Sequence, residues 1–164
     1  MDLHLAGKTV LITGASKGIG LSAAQELAAE GCHLHLASRT EADLQKAADG
    51  IRAKHQVNVT IHALDIAQKG NSEKLAAACA DIDILVNNAG AIPPGNLMDV
   101  DEDRWRDAWN LKMFGYINLT RAVYPMLKAK GGGVIVNVMG MAGFSPNFAY
   151  VAGSTANAGL MHFT

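Results

Sequence analysis

Short apolar runs alternate with longer helix-forming stretches along the chain. The apolar runs cover residues 8–13, 33–38, 57–63, 82–87 and 134–139, and they predict five β-strands. Residues 18–30, 41–54, 71–80 and 101–130 are rich in good helix formers and predict the intervening helices. A further helix is predicted to begin near Tyr150. This alternation is typical of a parallel sheet covered by helices.

The composition of each run predicts the position of its strand in the sheet. Residues 10–12 and 84–86 are apolar throughout, as expected for central strands that are buried on both faces. Residues 57–62 alternate between apolar and polar, which is typical of an edge strand. We therefore predict a Rossmann-like, doubly wound α/β fold with at least five parallel strands in the order 3-2-1-4-5 and helices on both faces. No linker or repeat interrupts the pattern, so residues 1–164 are predicted to form a single domain.

Two helices show apolar stripes that predict their buried faces. Ile19, Ala23 and Leu27 recur every four residues and are predicted to lie on the sheet. In the long helix, apolar and aromatic residues recur at intervals of three and four, and we expect them to pack inside the protein rather than against a second subunit. These residues are Trp105, Trp109, Met113, Tyr116, Thr120, Val123 and Leu127.

Composition and charge narrow the function. The chain is 49% hydrophobic, and its 14 basic and 15 acidic residues leave a net charge of -1, which gives no electrostatic basis for binding nucleic acid or anionic membranes. No apolar run approaches the roughly 18 residues of a membrane-spanning helix, and no signal-peptide pattern is present, so we expect a cytoplasmic protein. Cys32 and Cys79 have no partner at two-residue spacing, and the histidines form no metal-ligand set. We therefore expect buried free thiols and no metal site.

A glycine-rich segment follows the first predicted strand and opens the first predicted helix. It reads Thr13-Gly14-Ala15-Ser16-Lys17-Gly18-Ile19-Gly20. Glycines here permit a tight turn and let backbone amides approach a phosphate at the positive end of a helix. The spacing differs from the commoner G-x-G-x-x-G, and on its own the segment also fits an ordinary strand-to-helix loop.

A second motif, Leu85-Val86-Asn87-Asn88-Ala89-Gly90, ends the fourth predicted strand. Together the two motifs resemble the short-chain dehydrogenase/reductase family, and they occur in that family's order over nearly the whole chain. The resemblance implies a site for NAD or NADP at the carboxyl ends of the strands, where the strand order reverses. It assigns Asn88, Ala89 and Gly90 to the nicotinamide ribose, whereas Asn87 is expected to tie neighbouring strands together. The cofactor-binding residues predicted in the glycine-rich segment are Gly14, Ser16, Lys17, Gly18, Ile19 and Gly20.

The second and third predicted strands end on residues that bear on the nucleotide. Asp65 resembles the family's acidic residue that accepts a hydrogen bond from the adenine amino group. Ile66, beside it, is also predicted to bind the cofactor. The alternative role for Asp65 is that of a turn residue or helix cap. Ser38 and Arg39 end the second strand, where an acidic residue would repel a 2′-phosphate and a guanidinium would bind it. Because Lys17 adds a second positive charge, we predict NADP(H) over NAD(H). The alternative is that both cations are only solvated surface residues.

The resemblance also supplies four catalytic positions. In the family a Tyr passes a proton, a Lys four residues later lowers its pKa, a Ser orients the carbonyl and an Asn holds a relay water. Tyr150 and Asn110 match the Tyr and the Asn, but Ser154 stands in place of the Lys and Gly140 in place of the Ser. Ser145 is an alternative hydroxyl if the alignment shifts. An ammonium group about 4 Å from the phenol would favour its ionised form by about 4 kcal/mol at an effective dielectric of 20. Ser154 carries no charge and cannot have this effect.

Two functions are consistent with these assignments. The first is an NAD(P)(H)-dependent oxidoreductase of the short-chain dehydrogenase type, which transfers a hydride between nicotinamide and a carbonyl or alcohol substrate. The second, favoured by Gly140 and Ser154, is a catalytically impaired nucleotide-binding or regulatory subunit of the same fold. We expect a small-molecule substrate, no nucleic-acid or membrane partner, and a homodimer or homotetramer. The chain stops inside the last predicted helix, so we expect the family's C-terminal strands and substrate-covering segment to be missing from it.

Overall fold

The computed structural model describes residues 3–164, in which five strands form one parallel sheet. The strands are β1 (Thr9–Thr13), β2 (His33–Ser38), β3 (Val59–Ala63), β4 (Ile84–Asn87) and β5 (Val134–Asn137). Their order is β3-β2-β1-β4-β5, and each neighbouring pair is parallel. The predicted order is confirmed, although most of the strands are one or two residues shorter than their apolar runs.

Helices connect and cover the strands. They are α1 (Gly18–Ala29), α2 (Glu41–Arg52), α3 (Asn71–Ala78), α4 (Glu102–Trp109), α5 (Gly115–Ala129) and α6 (Val151–Phe163). The single helix predicted over residues 101–130 is divided by a π-helical segment, Asn110–Phe114, which joins α4 to α5. Such wide turns occur frequently at functional sites. Within residues 3–164, no helix has the length and apolar character that crossing a membrane requires.

Apolar side chains pack on both faces of the sheet. Val10 and Ile12 of β1 pack with α1 and α2, whereas Leu11 packs with α3 and α5. This two-sided burial explains why residues 10–12 are apolar throughout. At the edge of the sheet, β3 buries Val59 and exposes Thr60, which confirms that the alternating run is an edge strand. Both cysteines are fully buried free thiols, as predicted.

The first helix buries a different face from the predicted one. Gly20, Ala24 and Ala28 are its buried residues, whereas Ile19 is 68% exposed. Small side chains on the buried face allow the helix axis to lie close to the sheet. The predicted stripe that begins at Ile19 is therefore wrong by one position.

The aromatic stripe of α4 and α5 is buried mainly in its second half. Tyr116 and Val123 are fully buried, whereas Trp105 and Trp109 are only half-buried. The indole Nε1 of Trp109 donates a hydrogen bond to the carbonyl of Ala152 at 3.1 Å. This contact packs α4 against α6 and so helps to place the residues at the start of α6.

Candidate functional site

A glycine turn joins β1 to α1 at the carboxyl end of the sheet. Gly14 and Gly18 have φ angles of 66° and 57°, in the left-handed region that favours glycine. Gly20 packs directly on this turn, because an added Cβ would overlap the carbonyl of Gly14 and lie 2.5 Å from Nδ2 of Asn88. A side chain at position 20 would therefore push α1 away from the turn.

The first turn of α1 is suited to an anion. The first amides of an α-helix have no acceptor within the helix. Lys17 occupies the N-cap position, and within residues 3–164 its side chain makes no capping hydrogen bond. The first turn also contains no acidic residue. The positive end of the helix therefore keeps backbone donors available for a phosphate.

Hydrogen bonds hold the two sequence motifs together. The hydroxyl of Thr13 accepts the amides of Asn88 and Ala89, each at 3.0 Å. In return, Nδ2 of Asn88 donates to the carbonyls of Thr13 at 3.0 Å and Gly14 at 3.3 Å. The Asn88 amide is thus used to position the glycine turn. Thr13 was missed by the sequence analysis, although it begins the glycine-rich segment.

Asn87 connects neighbouring elements, as predicted. Its Nδ2 donates to the hydroxyl of Thr120 at 3.0 Å and to Oδ1 of Asn137 at 2.9 Å. These bonds join β4 to α5 and to β5. Its Oδ1 is buried without a hydrogen-bond partner among residues 3–164, so the side chain links these elements through Nδ2 alone.

A cavity of about 540 Å³ opens at the carboxyl ends of the strands. Its volume lies in the range of small-molecule and cofactor sites. Among residues 3–164, the predicted site residues Gly18, Gly20 and Asn110 do not line it. The predicted residues that do line it are Gly14, Ser16, Lys17, Ile19, Ser38, Arg39, Asp65, Ile66, Asn88, Ala89, Gly90 and Tyr150.

One end of the cavity combines positive charge with an unsatisfied hydroxyl. Lys17 and Arg39 are exposed and line this end. The Oγ of Ser38 is buried without a hydrogen-bond partner among residues 3–164. Oδ1 of Asp65 accepts the amide of Ala67 at 3.0 Å, so Asp65 makes the turn contact given as its alternative role while it lines the cavity. A buried hydroxyl without a partner is uncommon, and a ligand oxygen would satisfy it.

Tyr150 lies at the other end of the cavity, directly before α6. Its half-buried ring lies against Gly153, where an added Cβ would overlap it. Burial raises the pKa of the Tyr150 phenol. Four residues later, the buried Ser154 accepts the amide of Asn147 at its Oγ, at 3.1 Å. Ser154 therefore holds the loop before Tyr150 and brings no charge to the site.

A buried amide lies next to Gly140. Oδ1 of Asn157 accepts the Gly140 amide at 2.7 Å, and its Nδ2 donates to the carbonyl of Gly153 at 2.8 Å. Asn157 lines the cavity and connects the segment after β5 to α6. The sequence analysis missed it, although an Asn is a poor helix former and was an available signal inside α6.

The structure also places a lysine in the cavity that the sequence analysis missed. Lys112 lies in the π-helical segment, and its Nζ donates to the carbonyl of Val138 at 2.6 Å and to the hydroxyl of Tyr116 at 3.0 Å. Its aliphatic carbons cover Gly90, where an added Cβ would lie 2.6 Å from Cδ. Burial lowers the pKa of Lys112 to about 8. A signal was present, because Lys112 is three residues after Trp109 and four before Tyr116, so it interrupts the apolar stripe.

The predicted relay residue is placed outside the cavity. Asn110 is exposed and lines a neighbouring depression together with Arg104 and Asp107. Ser145, the alternative hydroxyl, is exposed and does not line the cavity within the described residues. The structure therefore does not bring either residue together with Tyr150, and the relay role of Asn110 stays a prediction.

The strand order, the glycine turn at a helix N-terminus and the cavity at the strand ends define a Rossmann-type fold with a candidate dinucleotide site. The family model for short chain dehydrogenases matches residues 8–164. The chain belongs to the short-chain dehydrogenase family.

Relatives share the same arrangement over most of this chain. The chain is 37% identical over 170 residues to the NADP-dependent 3-hydroxy acid dehydrogenase of Schizosaccharomyces pombe, which covers 98% of this chain and 64% of the relative. It is 30% identical over 165 residues to human dehydrogenase/reductase SDR family member 4, and this match covers 98% of the chain and 59% of the human protein. The crystal structure of L-sorbose reductase from Gluconobacter frateurii, complexed with NADPH and L-sorbose, superposes with a TM-score of 0.94 at 32% identity. The superposition covers 99% of this chain and 64% of the reductase. The chain thus spans about three-fifths of the length of these proteins.

Proposed function

We propose that this protein is an NADP(H)-dependent oxidoreductase that transfers a hydride between nicotinamide and a carbonyl or alcohol carbon of a small-molecule substrate. One observation carries the proposal: a single cavity has a phosphate-type cradle at one end and a phenol with an ammonium group at the other. The family consists of dehydrogenases and reductases, which supports this class of reaction.

The residues at the nucleotide end fit a dinucleotide. The free amides of the first turn of α1 and the close packing of Gly20 leave room for a pyrophosphate beside the turn. The partnerless Oγ of Ser38 suits a ribose hydroxyl or a phosphate oxygen. When bound, the coenzyme supplies or accepts the hydride. The protein's contribution here is to hold and orient it.

At the other end, we assign proton transfer to Tyr150. In the reducing direction its hydroxyl donates a proton to the carbonyl oxygen of the substrate, and in the oxidising direction the phenolate accepts one from the alcohol. Burial opposes ionisation of the phenol, because it raises the pKa of Tyr150. A cation in the same cavity acts in the opposite sense. We assign this electrostatic role to Lys112 because it lines the same cavity as Tyr150. In the structure its ammonium bonds to the carbonyl of Val138 and the hydroxyl of Tyr116, so the role requires it to turn toward the phenol when substrate binds.

The preference for NADP(H) rests on charge at the end of β2. Arg39 and Lys17 line the cavity, and the segment Ala37-Ser38-Arg39-Thr40 contains no acidic residue to repel a 2′-phosphate. The Schizosaccharomyces pombe relative is NADP-dependent by name, and the similar sorbose reductase structure contains NADPH. Both observations support the same preference.

The test compares Tyr150→Phe with wild type for NADPH binding and for NADPH oxidation with a panel of carbonyl compounds. We expect binding to change less than about twofold and turnover to fall by about 10² to 10⁴, the usual contribution of a positioned acid–base group. Tyr124→Phe is the matched control, since Tyr124 is 56% exposed on α5 and lies outside the cavity. Wild-type turnover in Tyr150→Phe would contradict the proposal.

A nucleotide-binding subunit without turnover is the second candidate function. Gly140 and Ser154 favour it, because they bring neither the hydroxyl nor the ammonium that the family resemblance assigns to their positions. Tight NADPH binding by the wild-type protein with no turnover across the panel would select this function. A cytoplasmic location and a homodimeric or homotetrameric assembly stay predictions, which cell fractionation and light scattering would measure.

A further inference from the structure

Two histidines and a cysteine meet on the face of the sheet that carries α3. His35 lies in β2, His62 in β3 and Cys79 at the C-cap of α3. One side-chain donor atom from each residue lies within 4.8 Å of the other two. None of the three lines the cavity described above, as far as residues 3–164 show. The expectation of no metal site considered only short spacings, and these residues lie far apart along the chain.

Two donor-atom pairs of this cluster lie close together, and all three donor atoms lie within 4.8 Å of one another. Nε2 of His62 lies 2.8 Å from Nδ1 of His35 and 3.4 Å from Sγ of Cys79. Zinc bonds of about 2.0–2.1 Å to nitrogen and 2.3 Å to sulfur place tetrahedral ligand atoms roughly 3.3–3.6 Å apart. The sulfur–nitrogen pair already has this separation. Admitting an ion requires the two ring nitrogens to separate by about 0.5 Å and the Cys79 sulfur to move toward His35, because the widest donor pair extends to 4.8 Å.

Asp81 orients His35 for such a role. Its Oδ1 lies 3.1 Å from Nε2 of His35, so the ring donates its proton at Nε2 to the carboxylate. This tautomer leaves the lone pair of Nδ1 directed toward His62. A carboxylate on the distal ring nitrogen is the usual outer partner of a metal-bound histidine. The contact is a second observation, separate from the cluster itself, that points to a ligand.

We propose that His35, His62 and Cys79 bind one Zn²⁺ ion, with Asp81 orienting His35 and a water in the fourth position. Two imidazoles and a thiolate are a donor set that selects Zn²⁺ over hard cations such as Mg²⁺ and Ca²⁺, which prefer oxygen ligands. Both imidazoles bind as neutral ligands: the proton that Nε2 of His62 donates to Nδ1 of His35 moves to Nδ1 of His62, and the thiol releases one proton to solvent when the sulfur–zinc bond forms. Half-exposed His62, on the edge strand, provides the side from which ion and water reach the site.

The proposed ion joins three elements. It would connect the edge strand β3 to β2 and to the end of α3, and β3 pairs with β2 alone among the described strands. A ligand that binds only the folded state stabilises it. The proposal does not rest on the oxidoreductase function, because the cluster and the cavity share no residue.

The test uses the full chain after chelation and dialysis, titrated with Co²⁺ as a spectroscopic probe and then with Zn²⁺. We expect one Co²⁺ per chain with a thiolate charge-transfer band, displacement of that band by Zn²⁺, and a higher melting temperature with Zn²⁺. Cys79→Ser should abolish the charge-transfer band. Cys32→Ser, which changes the only other cysteine, should keep it.

Two histidine variants and one carboxylate variant make the test specific. His62→Gln should weaken Co²⁺ binding by more than about a hundredfold, and Asp81→Asn by about 10- to 100-fold. His33→Gln is the matched control, because His33 lies on the same strand two residues before His35 and its Nδ1 accepts the amide of Asn58.

Three results would overturn the zinc site. They are a charge-transfer band that persists in Cys79→Ser, unchanged Co²⁺ affinity in His62→Gln, and no effect of Zn²⁺ on the melting temperature of the wild-type protein. If Cys79→Ser does not fold, Co²⁺ binding by His62→Gln decides whether the zinc site exists, because His62 is half-exposed and its substitution disturbs the core less. NADPH binding measured in the same samples keeps a failure of the zinc site distinct from a failure of the proposed oxidoreductase.

Discussion

Burial of Lys112 predicts that this lysine lowers the stability of the protein at neutral pH. Desolvation lowers its pKa from 10.5 to about 8, so the folded protein holds the proton less tightly than the unfolded chain does. Between about pH 8 and 10.5 the unfolded chain binds more protons, and stability therefore rises with pH across this interval. Lys112→Met keeps the aliphatic carbons that cover Gly90 and removes the charge.

The size of the effect follows from the change in pKa. A tenfold change in proton affinity is worth about 1.4 kcal/mol, so a fall from 10.5 to about 8 corresponds to roughly 3 kcal/mol. Because Lys112 is only half-buried, solvent screening reduces this to about 1–2 kcal/mol. The hydroxyl of Tyr116 still donates to the carbonyl of Val138 at 3.0 Å when the ammonium is removed. We therefore expect Lys112→Met to be about 1 kcal/mol more stable than wild type at pH 7 and equally stable near pH 10.5.

Urea unfolding of both proteins from pH 6 to 10.5 measures this difference in the free energy of unfolding. In thermal unfolding at pH 7, a difference of about 1 kcal/mol corresponds to about 2–4 °C in melting temperature for a chain of this size. Lys128→Met, at an exposed position of α5, is the control and should leave the free energy of unfolding within about 0.5 kcal/mol of the wild-type value. NADPH oxidation by Lys112→Met should fall by about 10²-fold if the ammonium acts on the phenol of Tyr150. The reasoning would be refuted if Lys112→Met were less stable than wild type at pH 7. It would also be refuted if the difference in the free energy of unfolding between the two proteins were the same at every pH.

Three further predictions concern the cavity. Gly20→Ala, whose methyl group would overlap the carbonyl of Gly14, should lower stability by about 1–3 kcal/mol and weaken NADPH binding. Its control is Gly50→Ala in α2, where an added Cβ meets nothing within 4 Å and should raise stability by up to about 1 kcal/mol in thermal unfolding. Arg39→Ala should weaken NADPH binding by about tenfold and leave NADH binding unchanged in fluorescence titrations, and a preference for NADH in the wild-type protein would contradict this. Gly140→Ser should raise turnover by about tenfold or more, because φ of -84° accepts a side chain and the hydroxyl would line the substrate end. The Asn157 amide, 3.2 Å from the added Cβ, has to shift slightly to admit it, and unchanged kcat would argue against the role of the hydroxyl.

The strands and the glycine turn after β1 were predictable because their causes are local. Residues 10–12 are apolar throughout and form the central strand β1, whereas the alternating residues 57–62 lead into the edge strand β3. The apolar content separated the central strand from this edge, but it did not mark β5, an apolar strand at the other edge in which Val134 is 53% exposed. The phosphate-type cradle is likewise made of backbone amides and of glycines such as Gly14 and Gly18, whose positive φ angles disfavour other residues.

The buried face of α1 depended on a contact between elements. Ile19, which is as large as any apolar residue of α1, is exposed beside the cavity, and Gly20 lies against the turn instead. Close approach of a helix to a turn selects the smallest side chain rather than the most hydrophobic one. Periodicity alone shows that a helix has a buried face, and it locates that face only to within about one residue.

Only the tertiary structure decided which polar side chains meet. Lys112 reaches the carbonyl of Val138 after a π-helical turn, and His35, His62 and Cys79 converge through strand pairing and the packing of α3. A pattern along the sequence records how buried a position is, but it does not record which residue lies opposite it. The proposed proton-transfer site and the proposed zinc site are built from side chains of separate elements, so their chemistry became visible only in three dimensions.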